Sequence, residues 1–99
     1  MKTQVRSNWS HAILVCKKCS KKQAKRGRAF GPDRKRLAAA LRRELGAGKS
    51  RKSPVGVIEV SCLDICPKAG VVVVDTRHPG EWRIIDPQGD FDEQVSALR

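Results

Sequence analysis

Aromatic residues are scarce in this 99-residue chain, which has no Tyr, two Phe and two Trp. Acids are scarce in its first half. Residues 1–53 hold 17 Lys and Arg against one Asp and one Glu, while residues 54–99 hold four Lys and Arg against eight acids. The net charge of +11 is therefore concentrated at one end of the sequence. This imbalance predicts attraction to an anionic partner without saying which partner.

Long apolar stretches are also absent. No stretch approaches the ~18 apolar residues that a membrane span needs, and "AILVC", 12–16, is too short and too far from the start for a secretory signal. We therefore expect a cytoplasmic protein that makes no use of a membrane. The length predicts one domain over 1–99, with 1–10 as a flexible N-terminal arm.

Apolar patterning predicts most of the secondary structure. Leu37, Leu41 and Leu45 recur every four residues and predict a buried helical stripe. This helix should begin at Pro32 and end before Gly46. Short runs rich in branched residues predict strands, the last two joined as a hairpin through "RHPG". The predicted strands cover 11–16, 55–61, 71–76 and 81–86.

The remaining segments complete the predicted fold. Residues 17–31 have no apolar periodicity and predict a basic loop or a frayed helical turn. Residues 90–99 predict a short closing helix, with Asp90 and Glu93 spaced as a capping box. The order β-α-β-β-β-α combines a right-handed parallel crossover with an antiparallel hairpin. It predicts a small α/β (α+β) domain of thioredoxin-like outline, with a four-stranded mixed sheet.

Four cysteines stand in two close pairs at the ends of two predicted strands. Cys16 ends the first strand and Cys19 follows it, while Cys62 and Cys66 follow the second strand. If these strands are parallel neighbours, their carboxyl ends lie side by side, at the edge where open α/β sheets carry function. The cysteines then converge, which predicts a metal or cluster site.

The stretch "SCLDICPKAGVVVV", 61–74, resembles the thioredoxin-like [2Fe-2S] ferredoxins, as do the strand order and the "GEW" before the last strand. The resemblance implies that Cys62 and Cys66 are one ligand pair and that Cys16 is the first ligand. Cys19 follows Cys16 more closely than is usual in that family, and it completes the four thiolates that a [2Fe-2S] cluster needs. The implied function is cluster-binding electron transfer. No catalytic residue set can be read, so we do not expect an enzyme.

Two other chemistries remain open for the same cysteines. A structural Zn site uses four cysteines in two pairs, with nucleic acid as one candidate partner. A metal-free thiol-disulfide protein would use "CKKC", Cys16 to Cys19, whose lysines favour the thiolate. The second alternative leaves Cys62 and Cys66 unused. It also requires a helix to begin at the first cysteine rather than near Pro32.

The basic residues are candidates for docking an acidic redox partner protein, because they border the cysteines. They are equally well explained as a solvated surface. Nucleic acid is a less favoured partner, since Phe30 is the only aromatic residue near the basic run. We leave a homodimer open. The docking candidates are Lys17, Lys18, Lys21, Lys22, Lys25, Arg26, Arg28, Lys35, Arg36, Arg42 and Arg43.

Overall fold

The computed structural model describes residues 3–47, 50–65 and 67–99; one of the predicted ligands, Cys66, lies outside the described residues. Within these ranges the chain forms four strands and three helices. In chain order they are β1 (Ala12–Cys16), α1 (Lys17–Lys25), α2 (Leu37–Leu45), β2 (Gly56–Val60), β3 (Val71–Asp75), β4 (Arg83–Ile85) and α3 (Phe91–Ser96).

The strands form one mixed sheet in the order β2-β1-β3-β4. β1 and β2 are parallel, with Cys16 opposite Val60 at their carboxyl ends. β3 runs antiparallel to both β1 and β4. This confirms the predicted small α+β domain with a four-stranded mixed sheet. The predicted strands were too long by one residue for β1 and β3, two for β2 and three for β4.

The core lies on both faces of the central strands. All five residues of β3 are buried, which explains an unbroken apolar run where a half-exposed strand would alternate. Leu37 and Leu41 of α2 are fully buried, as the predicted stripe requires, whereas Leu45 is only partly buried. Val95 of α3 and Leu98 just beyond it complete the core.

Helix α2 begins at Leu37, so the predicted start at Pro32 was wrong. The backbones of Phe30 and Lys35 exchange two hydrogen bonds of 2.7 and 2.9 Å, which close a tight turn over the intervening residues. Arg34 in this turn has a φ of 55°, which a right-handed helix does not allow. The predicted end is confirmed, because Gly46 is the left-handed C-cap of α2.

Residues 17–25 form helix α1, so the prediction of a basic loop or frayed turn was wrong. The buried face of α1 carries Cys19, Ser20 and Gln23, of which none is a large aliphatic residue. A helix with such an inner face shows no apolar periodicity in its sequence. It is held instead by polar and sulfur contacts made to residues far along the chain.

Hydrogen bonds fix the segment before β1 and the start of helix α3. Residues 3–9 form no helix or strand, but Asn8 N donates to Arg51 O at 2.7 Å and Trp9 Nε1 donates to Ser50 O at 2.8 Å. At the other end Asp90 caps α3, since its Oδ1 accepts from Glu93 N at 3.1 Å. The flexible arm and the single domain stay predictions.

None of the helices in the described part of the chain is long and apolar enough to cross a membrane.

Candidate functional site

Cys16 stands where β1 turns directly into α1. It is the last residue of the strand and also the N-cap of the helix, and its side chain is fully buried. Ser20 Oγ donates to the carbonyl oxygen of Cys16 at 2.9 Å, which fastens the first turn of the helix to the strand end. The strand therefore delivers this sulfur to the amino end of a helix, where exposed peptide N–H groups favour an anion.

The surroundings of Cys16 favour its thiolate. Burial raises the pKa of a thiol, but hydrogen bonds from the backbones of Cys19, Leu63 and Lys18 outweigh burial here. The pKa of Cys16 therefore lies below its ordinary value of 9.0. The thiolate is the form of cysteine that binds metals and attacks disulfides.

Cys19 joins α1 to the loop that carries the other cysteine pair. Its side chain is buried, and its Sγ donates to the carbonyl oxygen of Ile65 at 3.4 Å. Because Leu63 also faces Cys16, the first cysteine pair lies against the backbone of residues 63–65. "CKKC" is therefore in contact with the segment that follows Cys62, while the predicted convergence of all four cysteines stays a prediction.

Cys62 differs from Cys16 and Cys19 in its exposure to solvent. It is exposed, and its Sγ accepts a hydrogen bond from Asp64 N at 3.3 Å, within a turn where Asp64 has a φ of 66°. Across residues 3–47, 50–65 and 67–99, no three His, Cys, Asp or Glu side chains form a group that could hold a metal ion. Cys66, the fourth predicted ligand, falls outside these ranges.

A buried glutamine holds the end of this loop against α1. Gln23 Nε2 donates to Lys68 O at 3.1 Å and to Gly70 O at 3.5 Å. Arg26 and Arg28 donate to the same Lys68 oxygen, so three side chains converge on one carbonyl. Sequence reasoning missed Gln23. Gln23 lies four residues after Cys19, so the two share one helix face, but this spacing is informative only if residues 17–25 are already assumed to be helical.

The basic residues near the cysteines differ from those near α2. Lys17, Lys18 and Lys21 are exposed and line a cleft of about 300 Å³ together with Ser61, the residue before Cys62. These lysines therefore border the cysteine site in space as well as in sequence. The other docking candidates on α1 and after it, Lys22, Lys25 and Arg26, are exposed, and Arg28 is half-buried.

The cations near α2 are largely occupied by partners within the fold. Arg36 Nη2 forms an ion pair with Glu59 Oε2 at 2.8 Å, and Arg43 is paired with Asp33. Arg42 is half-buried and donates to Val57 O from Nε at 3.2 Å and from Nη2 at 3.0 Å. Lys35, like Arg36, lies before the helix begins. Three of these four cations are thus held by contacts within the fold, whereas no such contact is found for Lys17, Lys18 and Lys21 among the described residues.

No protein-family model, no curated protein and no solved structure matches this chain.

Proposed function

We propose that this protein binds a [2Fe-2S] cluster through Cys16, Cys19, Cys62 and Cys66 and carries electrons to an acidic partner protein. The observation that carries the proposal is the contact between the two cysteine segments, in which Cys19 Sγ lies 3.4 Å from Ile65 O. The pair Cys16 and Cys19 thus lies against residues 63–65, which directly follow Cys62 in the sequence. The protein would be an electron carrier of the cytoplasm, where thiols stay reduced and available as ligands.

The donor set fits this cofactor in kind and in number. Iron–sulfur clusters are held by cysteine thiolates, and a [2Fe-2S] cluster takes four. When bound, the cluster supplies a centre that accepts and releases one electron. The residues themselves bind and shield it: Cys16 and Cys19 sit within the core, while Leu63 packs against the same core beside them.

The clamp on Lys68 supports the same site. Gln23, Arg26 and Arg28 fix the carbonyl oxygen of Lys68, two residues after Cys66 in the sequence. Because the loop is held at this point, its cysteines can adopt fewer positions. Binding a ligand therefore costs less conformational entropy.

Metal and sulfide analysis of protein purified without oxygen tests the proposal. We expect a coloured protein with about two irons and two sulfides per chain. Replacement of Cys62 by Ser should abolish the colour, whereas the neighbouring exposed Ser61→Ala should leave it unchanged. A colourless protein with one zinc per chain would replace the proposal by the structural Zn alternative.

A thiol-disulfide function is the second candidate, and one observation favours it. Helix α1 begins directly after Cys16, which is the geometry that a redox C-x-x-C requires and that the sequence had argued against. In this case Cys16, which is buried in this structure, must first be uncovered; its thiolate then attacks a substrate disulfide, forms a mixed disulfide and releases one partner thiolate. Cys19 then attacks Cys16, releases the partner as a dithiol and leaves a Cys16–Cys19 disulfide.

Disulfide mapping by mass spectrometry separates the two candidates. The thiol function predicts metal-free protein whose Cys16–Cys19 pair cycles with a dithiol reductant while Cys62→Ser retains activity. The cluster function predicts thiols that become protected from alkylation only after reconstitution with iron and sulfide. If the remaining thiols of the Cys62→Ser variant become protected from alkylation as fully as those of the original chain, the cluster proposal fails.

A further inference from the structure

A second cleft, separate from the cysteines, is lined by three arginines. It lies between residues 26–29 at the end of α1, Arg34 in the turn before α2, and Pro87 and Gln88 between β4 and α3. Its volume is about 310 Å³, which is at the small end of the range for ligand sites. We refer to this group of residues as the arginine cleft.

Backbone hydrogen bonds hold each wall of the arginine cleft. The N–H groups of Arg26 and Arg28 both donate to Gln23 O at 3.0 Å. The turn that carries Arg34 is closed by the paired backbones of Phe30 and Lys35. On the opposite wall Gln88 N donates to Asp86 Oδ1 at 2.8 Å. The backbone that carries the arginines is therefore prearranged, which reduces the ordering cost of binding.

The guanidinium groups retain donors that the protein does not use. Among the described residues, no side-chain partner is found for Arg34, and Arg26 and Arg28 donate only through Nη1. A guanidinium has five N–H donors in a planar fork. The described residues that line the cleft include three arginines and no carboxylate, and the acid that a hydrogen bond places beside it is Asp86, whose Oδ1 accepts from Gln88 N.

The charge and volume of the arginine cleft indicate which chemical class of ligand it would bind. A phosphate group carries about −1.5 to −2 charges at pH 7 and accepts paired hydrogen bonds from arginine. A single carboxylate would leave most of the +3 charge uncompensated. The lining contains no aromatic ring on which a base could stack. We propose that the arginine cleft, whose lining includes none of the cysteines, binds the phosphate or diphosphate group of a small phosphorylated molecule.

Calorimetric titration of the whole protein with sodium pyrophosphate and with inorganic phosphate, at an ionic strength of about 0.15 M, tests this inference. We expect saturable binding of one anion per chain, with pyrophosphate binding more tightly than phosphate. Because a hydrogen bond to a charged group contributes about 1.5–3 kcal/mol, Arg34→Gln should weaken pyrophosphate binding by about tenfold or more. Arg34→Lys keeps the charge but loses the fork and should recover only part of the affinity.

The matched control is Arg6→Gln, which removes the same charge from an exposed arginine in the N-terminal segment. It should change the affinity less than about twofold, since exposed distant charges are screened by salt. Equal weakening by both Gln variants would reduce the effect to net charge and overturn the site. The proposal also fails if pyrophosphate does not bind, or if a short single-stranded oligonucleotide binds and pyrophosphate does not displace it.

Discussion

The side-chain amide of Gln23 lies 3.1 Å from the carbonyl oxygen of Lys68, across 45 positions of sequence. Gln23 is almost fully buried, and its Oε1 accepts from Arg28 Nη1 at 3.2 Å. One polar side chain thus uses both its donor and its acceptor to join helix α1 to the end of the cysteine loop. Gln23 therefore holds the end of the loop after the second cysteine pair against α1.

Gln23→Met should destabilise the fold, because it keeps the size of the side chain but leaves the buried Gly70 carbonyl without its donor. The expected loss in the free energy of unfolding is about 1–3 kcal/mol, measured by urea denaturation. Lys22→Met, on the exposed side of the same helix, should change it by less than about 0.5 kcal/mol. Equal stability of both variants would show that Gln23 does not hold the loop.

Asp75 should make the protein sensitive to acid. Burial opposes its ionisation, but hydrogen bonds and charge from Arg77, together with the charge of His11, hold the pKa of Asp75 below its ordinary 3.8. The folded state therefore prefers the carboxylate. The resulting stability is fully present above about pH 3.8 and is lost as pH falls through the lower folded pKa.

Unfolding by urea between neutral pH and pH 3 tests this expectation. Asp75→Asn should be less stable than the original chain at neutral pH, and the difference should shrink as the solution becomes more acidic. Glu81→Gln serves as the control, because Glu81 is exposed and makes no side-chain hydrogen bond within the described residues. A constant difference between Asp75→Asn and the original chain at every pH would contradict the assignment.

The α1 lysines should control docking and potential if the proposed function holds. Cations near a cluster favour its reduced, more negative state, so we expect a midpoint potential above the roughly −400 mV of plant-type ferredoxins. Replacing Lys17, Lys18, Lys21 and Lys22 by Gln should lower the potential. It should also flatten the salt dependence of electron transfer to an acidic partner.

Voltammetry and stopped-flow kinetics over a range of ionic strength provide these measurements. A control variant with the same net charge replaces by Gln four cations that do not border the cysteines. It should leave the midpoint potential and the salt dependence of electron transfer nearly unchanged. Its replaced residues are Arg6, Arg51, Lys52 and Arg83. If the two variants behave alike, the α1 lysines are only a solvated surface.

Arg42 should act on stability rather than on docking. Its guanidinium donates twice to Val57 O and so ties α2 to the edge strand β2. Arg42→Gln should therefore lower the midpoint of thermal unfolding by a few degrees without changing the salt dependence of partner binding. Lys35→Gln, exposed before the same helix, should not alter the midpoint. A shift in salt dependence with unchanged stability would return Arg42 to the docking surface.

The sequence alone determined the four strands, the β1–β2 and β3–β4 pairs and most of the apolar core, but not the β1–β3 pairing. Leu37 and Leu41 at helical spacing and the valines of β3 report apolar burial, and apolar burial dominates the free energy that forms these elements. The same patterns placed Cys16 and Cys62 at the ends of two parallel strands. The Gly46 cap and the Asp90 cap were also readable, because both depend on local backbone geometry.

Only the tertiary structure decided what depends on polar contacts between distant residues. Helix α1 was hidden because its buried side carries Cys19 and Gln23, whose partners Ile65 and Lys68 lie in another part of the chain. The start of α2 was misplaced because the Phe30 and Lys35 backbones pair with each other. Periodicity reports the burial of an apolar face, whereas a hydrogen bond across the fold leaves no repeating trace in the sequence.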